Sequence, residues 1–181
     1  MNKASRRNKY HGRGPRSKKE TISERKILNR KLDAAVNTLI SKLDVDDQEV
    51  DISHSEEVTS ELISMPLVQT RLKKMINLGA LKLKGNKITD IEPLLRELHI
   101  LKLKSLNLSN NQIIHVESLS RLGQLDTCKL TTLLLSDNQI VNIDALGSLI
   151  SLNYLDISNN NITDINPLGR LTNLTQLAIS N

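Results

Sequence analysis

One pattern, L-x-x-L-x-L-x-x-N-x-I, recurs along the second half of this 181-residue chain. It runs LGALKLKGNKI from Leu78, LKSLNLSNNQI from Leu103, LTTLLLSDNQI from Leu130 and LNYLDISNNNI from Leu152, and LTQLAISN from Leu174 begins a fifth copy. The landmark asparagines Asn86, Asn111, Asn138 and Asn160 are spaced 25, 27 and 22 residues apart. Self-similarity at a period of about 20–29 residues marks a solenoid in which each repeat is one layer. A lone L-x-x-L-x-L arises by chance in leucine-rich helices. Four complete copies with an in-register Asn and a following Ile do not. The strict alternation of L-x-L and the NN and DN turn residues also exclude a helix.

Each position has a physical task. In an extended L-x-L segment the leucines point inward and the residues between them point out. Successive copies then pair as parallel strands. The asparagine sits where the chain leaves the sheet, and its amide offers donors and an acceptor to backbone groups bared by that bend. Stacking aligns Asn86, Asn111, Asn138 and Asn160 into a ladder. The next residue but one, Ile88, Ile113, Ile140 or Ile162, returns to the core. Ile143, Leu146 and Leu149 are expected to fill the far side of one turn, and Ile165, Leu168 and Leu171 the far side of the next. One unit cannot bury its own flanks, whereas stacked units share a continuous core. Such a core needs only modest branched side chains, which suits a chain whose aromatics are Tyr10 and Tyr154 alone. The fold class expected is an α/β solenoid. It is a right-handed superhelix with a parallel concave β-sheet and short 3₁₀ or helical convex segments, preceded by an N-terminal helical region.

These units identify the chain as resembling leucine-rich-repeat proteins. The phrase Ile162-Thr-Asp-Ile-Asn-Pro-Leu168, followed by Leu171, Leu174 and Leu177, resembles the 22-residue repeat of the regulatory-subunit family of type 1 protein phosphatase, and that of bacterial internalins. Ile88-Thr-Asp-Ile-Glu-Pro-Leu94 is a second copy. The resemblance covers about residues 72–181 and implies convex segments that are mostly short 3₁₀ turns. Pro93 and Pro167 suit such turns, since proline starts a helical turn but does not continue a long helix. The resemblance is specific for fold and not for one partner, so no phosphatase-contact residues carry over. The 25- and 27-residue units place their extra residues around Leu95–Ile100 and Leu125–Lys129. Internalins carry a secretion signal and a helical cap.

The first third of the chain is different. Residues 1–43 hold 13 Lys or Arg against 3 Asp or Glu; residues 44–61 hold 8 acids and no Lys or Arg. Residues 1–19 are basic and nearly without apolar side chains, so disorder is expected there. Leu28, Leu32, Ala35, Val36, Leu39 and Leu43 recur at spacings of 3 and 4, the stripe of an amphipathic helix over residues 21–43, with Thr21 and Glu24 as a capping box. The favoured role for this helix is to pack on the end of the solenoid; a partner-binding or coiled-coil helix, or a membrane-surface helix, are the alternatives. A second helix is expected from Ser55 to Met65, with Val58, Leu62 and Met65 on one side and Pro66 stopping it. Val50 and Ile52 form a weaker candidate for a first strand, since VDISHS imitates LNLSNN. The divisions expected are a basic tail over 1–20, a helical region with an acidic linker over 21–66, and the array over 67–181.

Catalytic chemistry finds no footing in the sequence. His11, His54, His99 and His115 have no metal-site spacing. Cys128 has no organised His or Asp partner and reads as buried filler. Gly12 and Gly14 precede a proline and form no phosphate-cradling loop. No cofactor is expected, and the chain is read as not an enzyme. A single cysteine suits a reducing compartment, and the basic start has no apolar run behind it, unlike a secretory signal. No stretch reaches the roughly 20 apolar residues of a membrane span. The expected location is the cytoplasm, with the nucleus open through the basic tail. The last repeat stops mid-motif, which reads as a fragment or as an edge covered by another chain.

The outward strand residues define the expected binding face. They run from Ala80, Lys82, Lys84 and Gly85, through Ser105, Asn107, Ser109 and Asn110, to Thr132, Leu134, Ser136 and Asp137. Tyr154, Asp156, Ser158 and Asn159 come next, and Gln176, Ala178 and Ser180 close the row. This face is expected to pass from basic through polar to mildly acidic. Lys82, Lys84, Asn107, Leu134, Asp137, Tyr154 and Asp156 are the expected contacts with a protein partner, centred on the bulky Leu134 and Tyr154. The expected function is a non-catalytic protein-interaction scaffold or regulatory adaptor. The rival is nucleic-acid or acidic-surface binding through the basic tail, which has only Tyr10 to stack on bases.

Overall fold

The computed structural model describes residues 34–44, 46–55, 58–98, 102–124 and 130–180. The basic tail, the Thr21–Glu24 capping box, Leu28, Leu32, His99, Cys128 and Lys129 lie outside the described residues.

Six three-residue strands form one parallel sheet in chain order: β1 (Glu49–Asp51), β2 (Ala80–Lys82), β3 (Ser105–Asn107), β4 (Thr132–Leu134), β5 (Tyr154–Asp156) and β6 (Gln176–Ala178). The register never slips. Val50, Leu81, Leu106, Leu133, Leu155 and Leu177 stand abreast. A one-residue slip would turn every core leucine outward, so the L-x-L pattern fixes the pairing. The leucine opening each complete motif (Leu78, Leu103, Leu130, Leu152) and the isoleucines Ile88, Ile113 and Ile140 are buried, whereas Ile162 and Leu174 in the last layers are only partly buried. Strands about 4.8 Å apart line one side of the stack, and wider turns line the other, so the stack curves toward the sheet.

The convex elements differ with unit length. The 22-residue units carry 3₁₀ turns at Asp144–Ser148 and Asn166–Arg170. The 25-residue unit carries a helix, α4 (Glu92–Leu98), with Pro93 in its first turn. The next unit runs a 3₁₀ turn, Glu117–Leu119, into helix α5 (Ser120–Gly123). Pro167 thus begins a 3₁₀ turn as expected, but Pro93 begins an α-helix. Added length lets the chain close i→i−4 bonds, and proline costs nothing in a first turn where no N–H is required.

The N-terminal region departs most from expectation. Residues 34–41 are helical (α1), and Val36, Leu39 and Leu43 bury their stripe in the core. This helix packs on the end of the solenoid: Leu39 and Leu43 join the same core as Ile52, Ile63, Val68 and Leu72 and line one small apolar cavity with them. Arg71 Nε donates to the Leu43 carbonyl. Val50, the weaker candidate for a first strand, is indeed the centre of β1, so the sheet begins before residue 67; Ile52 lies just past the strand. The second helix is only α2 (Ser60–Ile63), capped by the Thr59 hydroxyl. Pro66 does not end it; it opens a further helix, α3 (Pro66–Lys74), at the N1 position where its fixed φ is an advantage. Helices α2 and α3 are the convex side of an additional first layer.

At the other end, Ile165 does not join the core. It is 54% exposed, and Leu177 and Ile179 of the last layer are 43% and 37% exposed. Ile143, one layer inward, is buried because the next turn covers it.

Candidate protein-binding surface

The asparagine ladder fixes the rim of the sheet. Asn111 Nδ2 donates to the carbonyl of Leu108 in its own layer and to that of Leu83 one layer back, at 2.9 and 3.0 Å. Its Oδ1 accepts the N–H of Ile88 at 3.1 Å. Asn138 and Asn160 repeat this set, accepting from Ile113 and Ile140. Asn86 donates to Ile52 and Leu83. All four asparagines are buried. Each therefore ties two layers together through backbone groups that no strand bond satisfies.

The bend before each rung needs a left-handed residue. His54, Gly85, Asn110, Asp137 and Asn159 hold φ between 54° and 69°. Glycine, asparagine and aspartate adopt this region most readily, which is why NN, DN and GN precede the turn. His54 fills the same place in the first layer, where VDISHS aligns with LNLSNN.

Above this rim the outward side chains form columns. Ala80, Ser105, Thr132, Tyr154 and Gln176 stand abreast in one; Lys82, Asn107, Leu134, Asp156 and Ala178 in the next. The structure therefore brings Asn107, Leu134 and Asp156 onto adjacent strands, with Tyr154 on the same face beside them. Leu134 and Tyr154 are half-buried, and Asp137 is exposed at the rim. Asn107 and Asp156 each accept the N–H two residues ahead, from Ser109 and Ser158, which fixes the turn of their side chains. Ser109 does not face solvent as expected; it is 4% exposed, beneath a hydrogen bond from Ser136 Oγ.

The charge gradient is also different. β1 adds Glu49 and Asp51 beside Lys82, whose Nζ lies 2.5 Å from Glu49 Oε1 and 3.9 Å from Asp51 Oδ2. The hydrogen bond to Glu49 and its charge hold the Lys82 ammonium above its ordinary pKa. The Ser53 backbone N–H, then its hydroxyl, hold Asp51 below the usual carboxylate value. The first part of the face is an exposed ion-paired cluster rather than a basic one, and Lys84, two residues on, remains exposed.

Sequence reasoning missed a second apolar column. Ile114 and Val141, 44% and 49% exposed, occupy the position after the core isoleucine, where the layers on either side carry Thr89 and Thr163. The doublets Ile113-Ile114 and Ile140-Val141 were the available signal. Among the described residues no three His, Cys, Asp or Glu gather as a metal site, and no helix is long and apolar enough to cross a membrane.

A stack of short parallel strands with an asparagine rim is the architecture of a repeat solenoid whose sheet face is open to solvent. The chain belongs to the leucine-rich-repeat family. A profile for two copies of leucine-rich repeats matches residues 128–169, and a single leucine-rich-repeat profile matches residues 102–125. Internalin C2 of Listeria monocytogenes is 30% identical, over 82% of this chain and 72% of that one, with a TM-score of 0.50. The receptor kinase HAESA of Arabidopsis, solved with a peptide hormone and a co-receptor, is 20% identical over 72% of this chain, with a TM-score of 0.51. This chain spans 25% of the HAESA chain, and that likeness is one of fold. No curated protein matches the sequence at a significant level. Members of the family generally serve protein–protein interaction and are generally non-enzymatic.

Proposed function

We propose that this protein is a non-catalytic interaction scaffold or regulatory adaptor that holds a protein partner on its sheet face. One observation carries the reading: half-buried Leu134 and Tyr154 lie on adjacent strands in the middle of an in-register sheet, ringed by polar side chains. A central apolar pair with a polar rim is the usual anatomy of an energetic hot spot. Outward residues of neighbouring layers sit about 5 Å apart on a rigid frame, so one partner touches several layers at once. Lys82, Lys84, Asn107, Asp137 and Asp156 are the proposed surrounding contacts. The regulatory role rests on the phrases at Ile88–Leu94 and Ile162–Leu168, and placement in a reducing compartment rests on the single cysteine. The rival, nucleic-acid binding through the basic tail, has no aromatic platform beyond Tyr10.

The test is capture of partners from cell extract by the full chain, with bound proteins identified by mass spectrometry. Leu134→Ala with Tyr154→Ala should weaken the captured interaction by more than about 2 kcal/mol. The convex pair Lys73→Ala with Arg170→Ala should leave it intact. The reverse pattern would move the functional surface to the convex side. Binding lost only on removing residues 1–19, and falling steeply with salt, would favour the tail.

A further inference from the structure

We infer that the segment bound on this face is a basic–apolar stretch of protein, an apolar side chain flanked by Lys or Arg; this rests on the reading of the sheet as the binding surface. The observation is the sign and placement of charge around Leu134. On β3 to β6 and the rim residues that follow them, the described outward side chains include two charges, Asp137 and Asp156, and both are negative. Asp156 stands directly abreast of Leu134, and Asp137 follows it three residues later on the same layer.

Both carboxylates are already positioned. Asp156 Oδ1 accepts the Ser158 N–H at 3.0 Å. Asp137 Oδ1 accepts from Asn159 Nδ2 at 2.8 Å. Each leaves its second oxygen without a hydrogen-bond or ionic partner among the described residues. Lys82 cannot neutralise them, because Glu49 and Asp51 hold it two strands away from β4. A ligand seated on Leu134 and Tyr154 therefore brings its flanking groups against two uncompensated carboxylates. Cations there gain charge-assisted hydrogen bonds; carboxylates or phosphates there meet repulsion and desolvation. The same field disfavours nucleic acid on this face.

The experiment is selection of a random 12-residue peptide library, displayed on phage, against the full chain, followed by affinity measurement of the selected peptides. Enrichment of Lys or Arg next to an apolar residue is expected. Asp137→Asn with Asp156→Asn keeps the shape and the turn bonds, so it should fold. It should weaken the selected peptides by about tenfold, as two exposed ion pairs in the upper half of their usual range would, and flatten their salt dependence. Selected peptides that are acidic or uncharged, or that bind the double Asn variant unchanged, overturn the inference while leaving the surface in place. Peptides that bind Leu134→Ala with Tyr154→Ala as well as the parent chain sink the surface itself. Failure to select any peptide that depends on this face also overturns the inference.

Discussion

Asn111 and Asn138 each make bonds that no apolar residue of similar size can replace. Truncating either to Ala orphans the Ile88 or Ile113 N–H inside a dry stack and removes one of the two donors that the Leu83 or Leu108 carbonyl accepts from. We expect each variant to lose about 1–3 kcal/mol, the cost of an unsatisfied buried backbone group. Urea unfolding measures it, and unchanged midpoints in both variants would remove the ladder as a source of stability. These residues were legible in the sequence because their role is local and repeats at every layer. The left-handed residues before them were legible as composition. Asn110 and Asp137 carry the signal directly, and His54 carries it through the alignment of VDISHS with LNLSNN. The His54 N–H donates to the Lys84 carbonyl in the neighbouring bend.

At the scale of elements, the convex turns pack through a column of glycines. Gly123, Gly147 and Gly169 follow a leucine in three successive layers. A Cβ on Gly147 would lie 2.9 Å from the Pro167 carbonyl oxygen and 3.3 Å from Arg170 Cδ. A Cβ at Gly169 meets nothing within 4 Å. Gly147→Ala should therefore cost about 1–3 kcal/mol through overpacking against backbone. Gly169→Ala should be neutral or slightly stabilising, by its effect on the unfolded chain. Equal effects in thermal unfolding would show that the glycines do not set the layer spacing. Periodicity alone gives the same L-G phrase at each place. Only the neighbouring turn distinguishes them, so the sequence could not rank these glycines. The same holds for Pro66, whose rigid φ suits the start of a helix as well as its end.

At the scale of the molecule, the first layer covers one end of the stack. Leu43 is 1% exposed, in one core with Ile52 and Leu72. Leu43→Ala should destabilise the protein by about 2–5 kcal/mol. In a solenoid each layer is stabilised mainly by its neighbours, and a short array unfolds as a unit. The loss should therefore appear at the far end as well. In a Tyr10→Phe background, Tyr154 fluorescence reports β5, and its urea midpoint should fall together with that of far-UV circular dichroism. A fall in the second signal alone would mean that the cap frays independently. Deleting residues 1–19 should leave the thermal transition in place, since that segment has almost nothing apolar to bury. A drop of many degrees would make the tail part of the fold.

The sequence by itself determined the period, the parallel pairing, the inward and outward sides of every strand and the ladder, because each follows from a local pattern repeated in register. It also marked Leu134 and Tyr154 as neighbours on one face. Tertiary structure alone decided what happens where repetition is imperfect. The first layer is degenerate in sequence: VDISHS offers only a weak strand signal around Val50, and the β1 strand and the start of α3 at Pro66 take their form from packing against β2 and α4. The charge of the face changed for the same reason: Glu49 and Asp51 reach Lys82 only once β1 has joined the sheet, across 33 and 31 residues of chain. Exposure of Ile165 depends on what lies one layer further on. A side chain's direction is a property of its own strand, but its burial and its charge balance belong to the neighbouring layer, and no single repeat encodes its neighbour.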